Sequence, residues 1–204
     1  MFHRICVIGL GYIGLPTAAL FARSGYEVVG VDTNPHVITT INAGQIHIVE
    51  PELDGVVHSV VANGRLRATR TAEAADAFMI AVPTPVHNDG TPDVSYIEAA
   101  CQTIAPVLAP GNLVVLESTS PVGTTRQMEG WLAAARPDLS FPRDAGEDAD
   151  VQIAYCPERV LPGKVVRELL ENDRVLGSLL QNWGLGDRDP IAAGRRSVDG
   201  LGSA

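Results

Sequence analysis

The chain is poor in positive charge, with 15 Lys and Arg against 24 Asp and Glu, a formal net charge of −9. A polyanion would meet a repulsive field, so nucleic acid is not an expected partner. Aromatic residues make up only 5%, which leaves Val, Ile, Leu and Ala to fill the interior, as in a buried parallel sheet. Cysteine is limited to Cys6, Cys101 and Cys156, an odd number without a Cys-x-x-Cys pair. That usage argues against a disulfide scaffold and for a reducing compartment, the cytoplasm. The five histidines form no His-x-x-x-His or His-Glu-x-x-His spacing, and no metal site is expected. Gly-x-Ser-x-Gly is missing, and no Ser-His-Asp set can be argued. The first apolar run, residues 5–11, is too short to span a bilayer and follows no basic leader, so no membrane segment is expected.

What is present alternates. Residues 4–9 form an apolar run stopped by Gly9, residues 14–23 carry small and apolar residues with Pro16 in a first helical turn, and residues 27–31 form a second apolar run ending in Asp32. Strand, helix and strand in about thirty residues make a βαβ unit. Further helices are expected at 34–42, 50–61, 94–108, 127–135 and 165–171, with strands at 66–69, 77–82, 113–117 and 152–155. Residues 118–125 read as a polar loop and 137–150 as an exposed acidic stretch. The implied fold class is α/β, a Rossmann-type doubly wound, mostly parallel sheet with helices on both faces. Residues 1–177 would form that domain; 178–204 lack periodicity and are expected to be a disordered tail.

Gly9-Leu-Gly11-Tyr-Ile-Gly14 fits Gly-x-Gly-x-x-Gly in the context that gives the pattern meaning: after a strand, opening a helix, with Asp32 eighteen residues beyond Gly14. Gly9 permits a tight turn, Gly11 lets backbone approach a pyrophosphate, and Gly14 allows close packing. Amide groups near Tyr12 and Ile13 would face phosphates at the positive end of the helix. Asp32 would accept bonds from ribose hydroxyls and repel a 2′-phosphate, and Thr33-Asn34-Pro35 offers no cation to hold one. NAD is therefore the expected cofactor.

Five segments together resemble the UDP-glucose/GDP-mannose dehydrogenase family. They are Val7-Ile-Gly-Leu-Gly-Tyr-Ile-Gly-Leu-Pro-Thr17, Ile46-His-Ile-Val-Glu-Pro51, Ala81-Val-Pro-Thr-Pro85, Glu117-Ser-Thr-Ser-Pro-Val-Gly-Thr124 and Ala154-Tyr-Cys-Pro-Glu-Arg-Val-Leu-Pro-Gly163. The resemblance runs over residues 5–177, and the second and fifth segments favour the branch acting on UDP-N-acetylmannosamine over that acting on UDP-glucose. It implies a twofold oxidation of a sugar C6 alcohol to a carboxylate, consuming two NAD, and a homodimer. It also implies roles: Tyr12, Ile13 and Asp32 on NAD; Thr84 and Thr125 lining the dinucleotide crevice; Thr119 and Glu158 as catalytic groups that orient water or substrate; Arg159 and Val160 contacting the UDP-sugar. Each lies at an expected carboxyl end of a strand, where an open α/β sheet binds ligands. Read without the resemblance, the threonines could equally stabilise turns, and Glu158 could be a solvated carboxylate or pair with Arg159.

The family's cysteine nucleophile sits in a Gly-Gly-His-Cys-type segment, and its acid/base lysine on a long helix after the first domain. The 204 residues hold no such segment, and their single lysine, Lys164, falls in the loop region. None of the three cysteines has the matching surroundings, and all are expected to be structural. The chain is thus expected to carry the cofactor-binding part of such a dehydrogenase, with a fragment that binds NAD and catalyses nothing, or a UDP-glucose specificity, as the alternatives. Fold alone also leaves open an NAD-responsive binding protein.

Overall fold

The computed structural model describes residues 2–157, 160–161, 163–172 and 177–178. Strands β1 (Arg4–Ile8), β2 (Glu27–Val31), β3 (Leu66–Thr69), β4 (Ala77–Ile80), β5 (Asn112–Leu116), β6 (Val151–Tyr155) and β7 (Gly177–Ser178) form one sheet in the order β3-β2-β1-β4-β5-β6-β7. All neighbours are parallel except β6 and β7. Alternation sorts the apolar side chains to two faces. Ile5 and Val7 of β1 join one core cluster, while Cys6 and Ile8 join the other.

The helices are α1 (Gly14–Arg23), α2 (Pro35–Asn42), α3 (Leu53–Ala62), α4 (Ser95–Ile104), α5 (Thr124–Ala135), α6 (Pro142–Ala145) and α7 (Val165–Glu171). Leu15 and Ala19 of α1, Val37 and Ile41 of α2, and Leu53 and Val57 of α3 cover the Val7 face. Ile97, Cys101 and Ile104 of α4 and Met128 and Leu132 of α5 cover the Cys6 face. Helices on both faces satisfy a parallel sheet whose strands are apolar throughout, and the doubly wound fold is the one expected. The order reverses between β1 and β4, which puts the topological switch point at their carboxyl ends.

Three local differences have physical causes. α5 starts at Thr124, not at residue 127, because Gly123 takes a left-handed φ of 96° and turns the chain directly into the helix. The long helix expected at 94–108 ends at Ile104 and continues as a 3-10 turn over Ala105–Val107, where Pro106 removes an amide donor. The 137–150 stretch is not wholly exposed. Phe141 is buried, α6 follows it, and Asp150 is engaged by the Ser140 amide and hydroxyl at 2.8 and 2.6 Å. Of the tail, only Ser178 lies within the described residues.

Candidate dinucleotide and nucleotide-sugar site

The turn leaving β1 is built as its glycines require. Gly9 has φ +92°, and a Cβ there would stand 2.6 Å from the Ala81 carbonyl oxygen, in the chain leaving β4. A Cβ on Gly14 would stand 1.7 Å from the Gly9 carbonyl oxygen, so the turn closes tightly on itself. Gly11 differs: a Cβ there would meet nothing within 4 Å. Its outer side is open at the switch point, as an approaching pyrophosphate needs. The Gly9 amide donates to the Val31 carbonyl, and the Leu15 amide to the Gly11 carbonyl. Ile13 is thus the N-cap of α1 and Tyr12 the residue before it, at the end of the helix where amide donors lack intrahelical partners. No side chain caps α1 and no acidic residue occupies its first turn. An anion is the natural complement of that end.

Asp32 ends β2 beside this turn. Its carboxylate accepts from the Leu10 amide at 3.0 Å and the Asn34 amide at 2.9 Å, and the Asn34 side chain in turn caps α2 through the His36 amide. The carboxylate therefore braces the glycine turn while remaining half-buried at the surface. The segment Ile46-His-Ile-Val also approaches it, a proximity sequence reading missed. Burial holds the His47 imidazole below its ordinary pKa, and the Asp32 carboxylate pulls it the other way.

Beyond β4 and β5, two loops are tied together. Ser118 Oγ donates to the Val82 carbonyl at 2.7 Å, and Thr84 Oγ1 donates to the Thr119 carbonyl at 2.5 Å. Thr84 and Thr119 are thereby brought together at the carboxyl edge, with the Thr119 residue exposed. The Thr84 hydroxyl thus ties the two loops together, the turn-stabilising use the sequence also allowed. Thr125 lies in the first turn of α5, half-buried, rather than at the end of a polar loop. Val160 lies between β6 and α7 and is half-buried. Glu158 and Arg159 lie outside the described residues.

Another contact escaped the sequence. Thr17 Oγ1 of α1 donates to Glu117 Oε1 at the end of β5 at 3.3 Å, both residues buried. Each belongs to a quoted segment, which is the only sequence signal that could have pointed to the pair. The cysteines offer no nucleophile: all are buried, and burial pushes the Cys6 thiol up to about 11 and Cys101 up to about 12. Among the described residues no cluster of three or more His, Cys, Asp or Glu could hold a metal ion, and no helix is long and apolar enough to cross a membrane.

A glycine turn at the switch point, an uncapped helix start and a carboxylate at the end of β2 define a dinucleotide-binding domain. Comparison with known proteins places it further. The profile of the UDP-glucose/GDP-mannose dehydrogenase family, NAD binding domain, matches residues 3–183, and the chain belongs to that family. NAD is accordingly its cofactor. The chain is 64% identical over 178 residues to the UDP-N-acetyl-D-mannosamine dehydrogenase of Salmonella typhi, covering 87% of this chain and 42% of that protein. It is 61% identical over the same length to the NDP-N-acetyl-D-galactosaminuronic acid dehydrogenase of Ralstonia nicotianae, with the same coverage. A UDP-D-ManNAc dehydrogenase structure from Pyrococcus horikoshii superposes with a TM-score of 0.81 at 39% identity, covering 97% of this chain and 44% of that one. The chain thus spans less than half the length of these relatives.

Proposed function

We propose that this chain is the cofactor-binding part of an NAD-dependent UDP-sugar 6-dehydrogenase, oxidising UDP-N-acetyl-D-mannosamine to UDP-N-acetyl-D-mannosaminuronate for surface polysaccharide precursors. NAD would supply the hydride acceptor, twice per sugar, while water supplies the second carboxylate oxygen. The observation that carries this reading is the turn at the switch point, with Gly11 open outward and Asp32 braced beside it. Tyr12 and Ile13 would present amides to the pyrophosphate, Asp32 would hold the adenosine ribose, and Thr84 and Thr125 would line the crevice. Thr119 and Glu158 would orient the reacting water or alcohol, since a hydroxyl hydrogen-bonds without adding charge and a carboxylate accepts a proton. Arg159 and Val160 would contact the UDP-sugar. The likeness to relatives named for two different N-acetylated sugars supports an N-acetylated substrate over UDP-glucose. A cytoplasmic setting and a homodimer complete the reading.

A second reading, that these 204 residues bind NAD and turn nothing over, is favoured by the burial of all three thiols. One assay separates the two. The purified chain is mixed with NAD and UDP-N-acetylmannosamine, and bound NAD and NADH are followed independently. NAD retention without NADH is expected; NADH at the rate of a full-length relative would overturn the binding-only reading. Failure to retain NAD would overturn both.

A further inference from the structure

The segment Ile46-His-Ile-Val-Glu-Pro51 lies between α2 and α3, away from the glycine turn in sequence, and the proposed chemistry assigns it no role. It contains Glu50, a carboxylate residue only 4% exposed. A buried carboxylate persists only when hydrogen bonds replace its water. Glu50 Oε2 accepts from the Gly163 amide at 2.8 Å and Oε1 from the Val165 amide at 2.6 Å, partners 113 and 115 residues away. Both bonds run from backbone amides to the carboxyl oxygens of one side chain. They grip the chain on either side of Lys164, where the loop leaving β6 returns to α7.

Further bonds complete the grip. The Leu161 amide donates to Glu168 Oε2 at 2.7 Å, and the Lys164 amide to the Leu161 carbonyl at 3.0 Å. Val165 and Val166 are buried, Val166 in the cluster that packs α1 on the sheet. The other side of the grip is also fixed: Glu52, two residues on, takes a left-handed φ of 66°, and Leu53 is fully buried. A non-glycine residue in that conformation costs free energy and persists where its surroundings impose it. The carboxylate is therefore held from a firm base and spends both oxygens on the returning loop.

We infer that Glu50 is a positioning residue, which fixes the Gly163–Lys164–Val165 turn and through it the loop that presents Val160 to a nucleotide sugar. The first half stands on the hydrogen bonds alone; the second rests on the function proposed above. Both Glu50 oxygens are spent on the Gly163 and Val165 amides, so its loss should loosen that turn before it weakens NAD binding.

Lys164 provides the test, because it is the only lysine in the chain. An endoproteinase that cuts after lysine has one target, the Lys164–Val165 bond, and intact mass reads the cut directly. Native-state cleavage requires the segment to open locally, so its rate reports how firmly the turn is held. Relative to the wild-type chain, Glu50→Ala should be cut roughly tenfold faster or more, with Glu50→Gln intermediate because it keeps one acceptor at the same reach. NAD affinity should stay within about twofold in both, since the two Glu50 bonds go to residues 163 and 165 and not to the glycine turn. Equal cutting of the wild-type chain and Glu50→Gln would overturn the inference, as would a parallel loss of NAD binding in Glu50→Gln, which would mark a general structural role. If Glu50→Ala does not fold, Glu50→Gln decides. UDP-N-acetylmannosamine should slow cutting of the wild-type chain and not of the variants. Faster cutting in the variants with no sugar protection of the wild type would uphold the clamp and overturn the sugar reading.

Discussion

Side chains bind backbone at both ends of the sheet, and the two ends differ in what that bonding shapes. At the amino end it ties neighbouring strands together. Asp76 Oδ2 accepts from the His3 and Arg4 amides at 2.6 and 2.8 Å, and Asn112 joins the Ala109 amide to the Ala75 carbonyl. At the carboxyl end the glycine turn keeps an open side at Gly11, Tyr12 is 48% exposed, and half-buried Asp32 braces that turn. One end holds strands in register; the other holds a shape that a ligand completes. Open α/β sheets place ligands at the carboxyl ends of their strands, and the two ends should separate under mutation.

The largest effect is expected at the turn that closes on itself. Gly14→Ala forces a Cβ onto the Gly9 carbonyl oxygen, which should cost about 3 kcal/mol and abolish NAD binding, read by thermal unfolding and NAD titration. Gly11→Ala, three residues away, meets no atom within 4 Å. It should fold with a nearly unchanged Tm yet lose most NAD affinity, because the methyl occupies the ligand's approach. Equal Tm losses in the two variants would break the distinction drawn between closed and open glycines.

Thr17→Val removes the bond that ties α1 to the end of β5 at Glu117. It should destabilise the chain by about 1–2 kcal/mol, seen as a lower denaturant midpoint with unchanged slope. The smallest effect belongs to the amino end. The Arg4 amide, and next the His3 amide, hold the Asp76 carboxyl below its usual range. A pKa lowered by folding adds stability that is present above the unfolded value and lost as pH falls through the folded one. Unfolding temperature should therefore drop below roughly pH 4 more steeply in the wild-type chain than in Asp76→Asn, whose NAD affinity should not change.

The same contrast explains what the sequence made legible. The glycine turn, Asp32 and the bounds of β2, β3 and α7 were readable because their meaning is local: a φ above zero, a strand end, a helical period. The ties among the carboxyl-end loops were not. Thr84 meets Thr119 across 35 residues, Thr17 meets Glu117 across 100, and Glu50 meets Gly163 across 113. Such contacts exist only once the sheet has ordered its strands. The start of α5 was missed for a smaller reason: Thr124 and Thr125 are β-branched and read as loop, while a left-handed Gly123 starts the helix there.

In the proposed function, Asp32 and the open glycine turn hold NAD. The direct measurement is equilibrium titration of the wild-type chain and Asp32→Ala with NAD and with NADP. The wild-type chain should bind NAD and discriminate against NADP, and Asp32→Ala should lose roughly 10- to 100-fold in NAD affinity as the bonds to the ribose vanish. Equal binding of NAD and NADP by the wild-type chain, or NAD affinity untouched by Asp32→Ala, would contradict that function.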